Sequence, residues 1–436
     1  MKMDKLLESI CFECVGDHYL KQRIVGSGVK GKCLNCGEYR FSIELETLSD
    51  DIAEILLTNV APGDLFDVWD IERDRMSHTE RRGESLSYYV REILQIHEES
   101  NSVIDYVLGT LVSQSPGNEG FFDEGTYERR VWVPVDVEEN WLDFRNGLMH
   151  KSRFFNHKAR EFLEWLFEGI DDYQVWGSGP GVVRPLNPTG SKPIFRARDC
   201  TPPKDRSSAI FADPTKQLAA PPKELAPAGR MSPAGVPVFY GAFERETCIA
   251  ELRPPVGGKV ISGEFKLTKE IRVFDFTALE DAYDRKVISY FEPDYRRKIE
   301  RRQFLKSFHR IISRPVVPGQ DHEYLQTQVI AEYLATQHSP PIDAVIFASA
   351  QNKHEGGKNI VLFSQAISPD PLLPVVDEYG HLPWVGEQPD SAIEFVPESL
   401  MVHEIEQVKV KTKDTRVIKG QLESDIDDYY ERGYWD

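Results

Sequence analysis

Apolar residues recur at helical spacing through most of the first half of the chain. Between residues 48 and 173 they follow the period of an amphipathic helix, and the longest such stretch runs from Glu138 to Ile170. A second clear stripe, with Tyr89, Val90 and Ile93, follows the capping residue Ser85. This pattern predicts an all-α helical bundle over residues 47–175.

The second half of the chain alternates between strand-like and helix-like patterns. A short β-branched and aromatic run at residues 238–240 and an alternating segment at 258–276 predict strands. Helical patterns cover Glu244–Leu252, Asp281–Ser313 and His322–Gln337. The mixture predicts an α+β domain, separated from the bundle by a Gly- and Pro-rich linker at residues 176–190. Residues 201–227 lack any period, so we expect a long mobile loop there.

Composition limits the classes of protein to consider. A chain of 436 residues with 40% hydrophobic residues predicts two or three domains with sizeable cores. The formal charge of −19 excludes a surface broadly coated with nucleic acid, although a local basic patch remains compatible with it. No apolar segment is long enough to span a membrane, and the N-terminus lacks the apolar run of a signal peptide. We therefore expect a cytoplasmic protein without a membrane partner.

Four of the six cysteines form two CxxC pairs near the N-terminus. Cys11 and Cys14 make the first pair, and Cys33 and Cys36 make the second. Two such pairs offer four thiolates to one tetrahedral Zn²⁺, and four thiolates leave no open position for catalysis. The alternative is a pair of disulfides, which the expected compartment disfavours. The sequence thus predicts a structural zinc ribbon over residues 1–46.

A glycine motif within this ribbon invites a different interpretation. Gly26, Gly28 and Gly31 match the G-x-G-x-x-G pattern of dinucleotide-binding folds. That pattern requires a helix immediately after it, whereas the second CxxC pair follows here. We therefore expect the glycines to shape a hairpin between the two cysteine pairs.

The segment from Gly229 to Pro254 combines a loop, a short strand and a helix that ends near Glu251. Its sequence, GRMSPAGVPVFYGAFERETCIAELRP, resembles the RES domain, a family named for an Arg, a Glu and a Ser. Residues 193–196 resemble that family's opening strand, residues 343–349 the strand that carries the Ser, and residues 359–363 the strand after it. The resemblance covers residues 191–412. Met231-Ser232-Pro233 and the long insertion at 201–227 depart from the family pattern, and either departure could change the acceptor or restrict entry to the site.

The resemblance implies an ADP-ribosyltransferase-like fold and consumption of NAD as substrate. It implies cleavage of the nicotinamide–ribose bond, with phosphate or water as acceptor, as in an NAD phosphorylase or glycohydrolase of toxin or defence type. Glu251 is then the carboxylate that stabilises a cationic ribose, as expected for cleavage of a glycosidic bond. Arg196 and Arg230 are expected to hold the pyrophosphate, Tyr240 to face the nicotinamide and Ser349 to orient substrate. The catalytic candidates are therefore Glu251, Arg196, Tyr240 and Ser349, and the binding candidates are Arg196, Arg230, Tyr240 and Ser349.

Within the predicted bundle, Arg145 and His150 fit an R-x4-H pattern that resembles the HEPN domain. Some HEPN members are RNases in which the pair acts across a dimer interface. Five residues on a helix do not place two side chains on one face as well as three or four do, and the pattern is common by chance. A surface Arg and a surface His are the alternative interpretation of this pair.

Three functions remain open at this point. The first is an NAD-degrading enzyme, restrained by its N-terminal domains or by an antitoxin-like partner. The second is a protein ADP-ribosyltransferase that uses the same residues. The third is a HEPN-type RNase with a nucleotide-sensing RES half, the only one of the three that requires RNA. Homodimerisation is left open, and the acidic, aromatic tail at residues 413–436 is either solvated or a docking peptide.

Overall fold

A computed structural model describes most of the chain and divides it into two compact units. The first unit comprises residues 1–184 and 275–312, and the second comprises residues 185–274 and 313–436. The described residues are 8–70, 75–96, 101–113, 121–123, 125–130, 134–177, 179–203, 205–316, 320–352, 355–367, 391–409, 412, 414–415, 417–418 and 421–422. Residues 423–436, with most of the predicted acidic tail, lie outside them.

The elements alternate between strands and helices along the whole chain. The strands are β1 Ser9–Cys11, β2 Val29–Lys32, β3 Tyr39–Glu44, β4 Val60–Pro62, β5 Leu65–Asp70, β6 Arg75–Arg81, β7 Glu84–Ser85, β8 Thr126–Arg129, β9 Tyr173–Val175, β10 Val183–Leu186, β11 Ile194–Asp199, β12 Phe239–Ala242, β13 Lys259–Leu267, β14 Ile271–Asp275, β15 Ala282–Asp284, β16 Ala344–Ala348, β17 Lys358–Leu362, β18 Ile393–Phe395, β19 Met401–Glu404, β20 Val417–Ile418 and β21 Gln421–Leu422. The helices are α1 His18–Ser27, α2 Leu45–Asn59, α3 Leu86–Leu94, α4 Asn101–Ser113, α5 Val135–His150, α6 His157–Leu166, α7 Ser207–Ala212, α8 Pro214–Leu218, α9 Arg245–Glu251, α10 Tyr295–Ser313, α11 Leu325–Thr336 and α12 Ser364–Ile367.

A small antiparallel sheet in the order β1-β3-β2 opens the first unit. Helix α1 lies between the two CxxC pairs, where the sequence analysis expected only a hairpin. It begins because the Asp17 carboxylate accepts a hydrogen bond from the Leu20 amide, at 2.8 Å, and so caps the first turn. It ends at Gly28, where an added Cβ would stand 2.4 Å from the Ile24 carbonyl oxygen. Gly26 lies within α1, Gly28 ends that helix and Gly31 lies within β2, so a helix precedes the strand, opposite to the order of a dinucleotide-binding motif.

Strands within residues 47–175 overturn the prediction of an all-α bundle. β4, β8 and β7 form one antiparallel sheet, and β5 pairs with β6 in a separate hairpin. The aromatic and β-branched residues Phe66, Val68 and Trp69 are a strand signal that the dominant helical stripes obscured. The region is therefore α+β, with α2, α3 and α4 contributing the buried apolar faces.

The aromatic core of the first unit draws on two distant parts of the sequence. Trp141 of α5 lies 6.0 Å from Phe304 and 5.5 Å from Phe308, measured between ring centroids. Both phenylalanines are on α10, which begins at Tyr295 rather than near Asp281 as predicted, because β15 occupies Ala282–Asp284. The compact unit therefore includes a segment that lies inside the predicted RES-like region of residues 191–412.

The second unit is built on one large sheet. From β14 its order is β14-β16-β17-β12-β11-β13-β18, with β19 also paired to β13. Strand β10 pairs with β14 at one edge, so the predicted linker at 176–190 contains a strand. Strands β11, β12, β13, β16 and β17 form where the alternating and apolar runs predict them.

The two faces of this sheet carry different cores. One face buries a large apolar cluster that includes Ile194, Phe239, Ile261, Ile346 and Ile360. The other face carries a smaller cluster, in which Ala242 of β12 packs with Cys248 of α9. Because successive strand residues point to opposite faces, neighbours in the sequence end on different sides of this sheet.

Residues 201–227 are not the mobile loop that their composition suggested. They contain α7 and α8, and the side chains of Ile210 and Leu218 are fully buried in the larger core. Arg198 fixes the end of α8, since its guanidinium donates to the carbonyls of Gln217 and Ala219, each at 3.1 Å. Within the described part of the chain, no helix combines the length and apolar character needed to cross a membrane.

Candidate active site and metal centre

The four N-terminal cysteines converge on one point in the first unit. Cys11 ends β1, and a turn closed by the Cys14 amide on the Cys11 carbonyl, at 3.1 Å, returns the second thiol toward it. A second turn, closed by the Gly37 amide on the Cys33 carbonyl at 2.9 Å, does the same for Cys33 and Cys36. All four sulfur atoms lie within 4.8 Å of one another.

The separations between these sulfurs fit a tetrahedral metal rather than disulfides. Two S···S distances, Cys11–Cys36 and Cys14–Cys33, are 3.8 Å, and all the cysteines are free. Four thiolates at about 2.3 Å from a central Zn²⁺ have S···S edges of about 3.8 Å, whereas a disulfide requires about 2.05 Å. Burial opposes ionisation of Cys33, but backbone N–H groups around it lower the pKa of its thiol to about 7. The arrangement is compatible with the predicted zinc ribbon.

In the second unit, the Glu251 carboxylate is held by two side chains from distant strands. Glu251 is the last residue of α9, and it is exposed. Its Oε1 accepts a hydrogen bond from the Ser349 hydroxyl at 2.5 Å and another from Asn359 Nδ2 at 2.9 Å. Both contacts use Oε1, and Oε2 has no hydrogen-bond partner within the part of the chain that the structure describes. The structure thus places one carboxylate oxygen firmly and leaves the other available.

The Ser349 hydroxyl forms three hydrogen bonds that connect two parts of the site. Its side chain is completely buried just after β16, and its Oγ accepts the backbone N–H groups of Gln351, at 3.2 Å, and Asn352, at 3.0 Å. A hydroxyl has one proton and two lone pairs, so the proton is the one that Ser349 donates to Glu251. Ser349 therefore ties the loop after β16 to the end of α9.

A second layer of polar contacts supports this loop. Asn352 Nδ2 donates to Thr247 Oγ1 at 3.0 Å, and that hydroxyl donates to Glu244 at 3.2 Å. The same Glu244 oxygen accepts the Lys358 amide at 3.1 Å. Gly357 leaves room for Thr247, because an added Cβ would approach its Oγ1 to 2.5 Å. Helix α9 is thereby linked at both ends to the connection between β16 and β17.

Arg230 lies within electrostatic reach of this carboxylate, and Tyr240 holds the loop that carries Arg230. The Tyr240 hydroxyl accepts the Met231 backbone N–H at 2.8 Å, so it holds the loop that carries Arg230. Arg230 Nη1 donates to the Arg314 carbonyl at 2.9 Å, and the guanidinium lies 5.3 Å from the centroid of the Tyr324 ring. Burial lowers the pKa of Arg230, and the charge of Glu251 is among the effects that oppose this shift. The expected grouping of loop, strand and helix end is therefore present.

Arg196 lies on the other face of the sheet. It stands opposite Gly263 on β13, and its guanidinium lies 4.7 Å from the centroid of the Phe239 ring in the larger core. It is 5% exposed, and its Nη1 has no hydrogen-bond partner among the residues that the structure describes. Burial lowers its pKa well below the usual range, and neighbouring Arg198 adds to this effect. The structure does not bring Arg196 into the hydrogen-bonded group around Glu251.

Asn359 is a residue of this site that the sequence analysis did not single out. It pairs with Ala242 and Phe347 across the sheet, and it is buried. The sequence signal for Asn359 is its position directly before the apolar run Ile360-Val361-Leu362. A polar residue there is expected to be buried with the strand, and a buried amide requires hydrogen-bond partners.

Arg145 and His150 lie on α5 in the first unit. Arg145 is half-buried near the middle of the helix, and His150 is exposed as its last residue. The RNase pair stays a prediction.

Comparison with known families finds a match for part of the chain. A model of the RES domain family matches residues 195–385, so this part of the chain is similar to a RES domain. This family is linked to NAD-related, toxin-like activity. No curated protein matches the chain, and no solved structure matches it. The matched range includes Glu251, Ser349 and Asn359, whereas the cysteine cluster and the segment with Arg145 and His150 lie before it.

Proposed function

We propose that the RES domain cleaves the bond between nicotinamide and ribose in NAD and transfers the ADP-ribosyl group to phosphate or water. The observation that carries this proposal is the Glu251 carboxylate, held through Oε1 by Ser349 and Asn359 and exposed at the end of α9. The similarity to the RES domain family, which is linked to NAD-related activity, supports NAD as the substrate.

The reaction requires stabilisation of positive charge at one carbon. As the C1′–N bond breaks, its electron pair leaves with neutral nicotinamide, and the ribose develops oxocarbenium character. A carboxylate beside C1′ stabilises that charge, and it acts best when it does not have to reorient. The two hydrogen bonds to Oε1 provide such preorganisation, and Oε2 is the oxygen that faces the ribose. An oxygen of phosphate or water then bonds to C1′, and water loses a proton to solvent.

The cation that binds the pyrophosphate is Arg230 in this proposal. A guanidinium matches paired phosphate oxygens, and Arg230 lies close enough to Glu251 for the two charges to interact. Arg253, two residues after Glu251, adds positive charge. The Gln351 amide oxygen, turned toward it, accepts from Arg253 Nη2 at 3.0 Å and Nε at 3.1 Å. Tyr240 offers its ring to the nicotinamide while its hydroxyl holds the Met231 amide.

The metal centre has a separate, structural role in this proposal. Cys11, Cys14, Cys33 and Cys36 hold one Zn²⁺, which fixes the two turns of the ribbon. All four ligand positions are taken by thiolates, so the ion supplies folding energy and no catalytic step.

Product identification tests the enzymatic proposal. The purified full chain is incubated with NAD, with and without phosphate, and the products are identified by mass spectrometry. Release of nicotinamide with ADP-ribose, or with ADP-ribose 1″-phosphate when phosphate is present, supports the proposal and identifies the acceptor. If NAD remains intact under both conditions, the proposal is contradicted. If the ADP-ribosyl group of labelled NAD becomes attached to protein, the same site acts as a protein ADP-ribosyltransferase.

A further inference from the structure

The hairpin of β2 and β3 presents two lysines and two aromatic rings on one face. Lys30 stands directly opposite Phe41, and Lys32 stands directly opposite Tyr39. Positions two apart in a strand share a face, so all four side chains project from the same side. We call this surface the lysine–aromatic face.

These side chains are exposed and available. Tyr39 is 70% exposed and Phe41 is 41% exposed, and both lysines are exposed as well. The Lys30 ammonium lies 5.7 Å from the centroid of the Phe41 ring. Among the residues that the structure describes, neither Lys30 nor Lys32 forms an ion pair. Two rings and two ammonium groups are therefore presented to solvent, and the Phe41 ring is the contact of the Lys30 ammonium.

The local charge of this segment is opposite to that of the chain. Between residues 21 and 41 there are five Lys or Arg residues and one Glu, whereas the whole chain has a formal charge of −19. An anionic polymer is repelled by an acidic surface, so a contact with one is confined to a basic patch such as this.

We propose that the lysine–aromatic face binds single-stranded nucleic acid. Neighbouring rings on a β surface stack successive bases, and lysines beside them pair with the phosphates. Tyr39 and Phe41 are about 7 Å apart along β3, as residues two apart in a strand are. A purely apolar protein partner does not account for a lysine opposite each ring. An acidic peptide could form ion pairs with the two lysines, but its carboxylates would not stack on the neighbouring rings of Tyr39 and Phe41.

Binding of fluorescent oligonucleotides to the full-length, zinc-loaded chain tests this proposal. Anisotropy is measured with 12-mers of uridine and of thymidine at low and moderate salt, and the two probes distinguish RNA from DNA. The double variant Tyr39→Ala, Phe41→Ala should weaken binding at least tenfold, since each base–ring stack contributes substantially to affinity. The double variant Lys30→Ala, Lys32→Ala should weaken binding and reduce the salt dependence, because phosphate contacts release counterions.

Matched controls separate stacking from general attraction. Arg40 is exposed between the two rings in sequence, but it points to the opposite face, so Arg40→Ala should change affinity less than twofold. Phe41→Tyr keeps an aromatic ring and should retain binding. Zinc content and circular dichroism show whether each variant is folded.

Three outcomes overturn the proposal. One is failure of both oligonucleotides to bind the wild-type chain. Another is an equal loss of binding in Arg40→Ala and in the lysine variant, which indicates unspecific attraction. The third is binding of a polyglutamate peptide that excludes the oligonucleotides and is unaffected by loss of the rings, which assigns the face to an acidic protein partner.

Discussion

The cysteine cluster of the first unit and the carboxylate site of the second are held in place by different means. The four thiols come from 26 consecutive residues, 11–36, and two tight turns bring them together. The carboxylate site is assembled from α9, the loop after β16 and the start of β17. Ser349 and Asn359 follow Glu251 by 98 and 108 residues in the sequence. The cysteine cluster follows from the spacing of the cysteines in the sequence, whereas the carboxylate site depends on correct folding of the whole sheet.

This difference determines how each site should respond to damage. A site built from local turns loses its ligand when one donor is removed, while the rest of the chain keeps its own core. A site built across a sheet loses precision whenever one of its supports moves, even though every residue at the reacting atoms is still present. Variants in both sites, ordered by the size of the expected effect, test this distinction.

Removal of two thiols should abolish metal binding altogether. In Cys33→Ser, Cys36→Ser only two thiolates remain, and two ligands do not hold a structural Zn²⁺. Metal analysis of the purified chain should fall from one zinc per chain to none. Cys200→Ser and Cys248→Ser are matched controls, because both thiols lie outside the cluster, and each should keep the full zinc content. Equal zinc in the wild type and the double variant contradicts the assignment.

Neutralising Glu251 should cause the largest loss of turnover. Glu251→Gln keeps the shape of the side chain and can keep a hydrogen-bonded oxygen, but it loses the charge. Loss of one electrostatic contact of this kind costs a few kcal/mol, so turnover should fall by about a hundredfold or more. NAD affinity, measured by calorimetry, should change much less, because the charge acts mainly in the transition state.

Glu246→Gln is the matched control for this prediction. Glu246 is exposed on the same helix and makes no contact with Ser349 or Asn359. It should turn over NAD at the wild-type rate. Wild-type turnover in Glu251→Gln means that the carboxylate has another use.

The two sites also differ in how far the sequence predicted them. The CxxC spacing predicted that the four cysteines converge because both turns are local, and the strands and the helix around Glu251 formed where their apolar patterns indicated. The side of the sheet on which Arg196 lies was not predictable in this way. Arg196 and Phe195 are adjacent in the sequence, and only the register of β11 with β13 decides which of them faces the larger core.

Other errors have the same origin in non-local packing. The helices α7 and α8 lie in a stretch without a periodic pattern, and burial of Ile210 and Leu218 in a core formed by distant strands stabilises them. Likewise, nothing near α10 in the sequence shows that Phe304 and Phe308 pack on Trp141. Local patterns predicted the elements, and the contacts between distant elements determined where they belong.

Loss of a support for Glu251 should have a smaller effect than loss of its charge. Asn359→Ala removes the donor at 2.9 Å but leaves the carboxylate and the Ser349 hydroxyl in place. A hydrogen bond to a charged group stabilises it modestly, so turnover should fall about tenfold. Because Asn359 acts through Glu251, the double variant Asn359→Ala, Glu251→Gln should be no slower than Glu251→Gln alone. Additive losses in this double-mutant cycle indicate that Asn359 acts independently of Glu251.

The smallest effect is expected on the opposite face of the sheet, at Arg196. Its guanidinium is buried, and Nη1 has no hydrogen-bond partner within the described part of the chain, so Arg196→Met removes a group that is unsatisfied there and keeps most of the volume. We expect the melting temperature to stay the same or rise by up to about 4 °C. Arg198→Met is the matched control, because the same substitution on the same face removes two hydrogen bonds to the end of α8, and it should lower the melting temperature.

NAD affinity should depend on Arg230 and not on Arg196, which lie on opposite faces of the sheet. Arg230→Ala should weaken NAD binding strongly, whereas Arg196→Met should leave the affinity within about threefold of the wild type. A large loss of NAD affinity in folded Arg196→Met would mean that Arg196 contacts the pyrophosphate, as its position in the family pattern implies. Residues on both faces of the sheet would then bind the same NAD molecule.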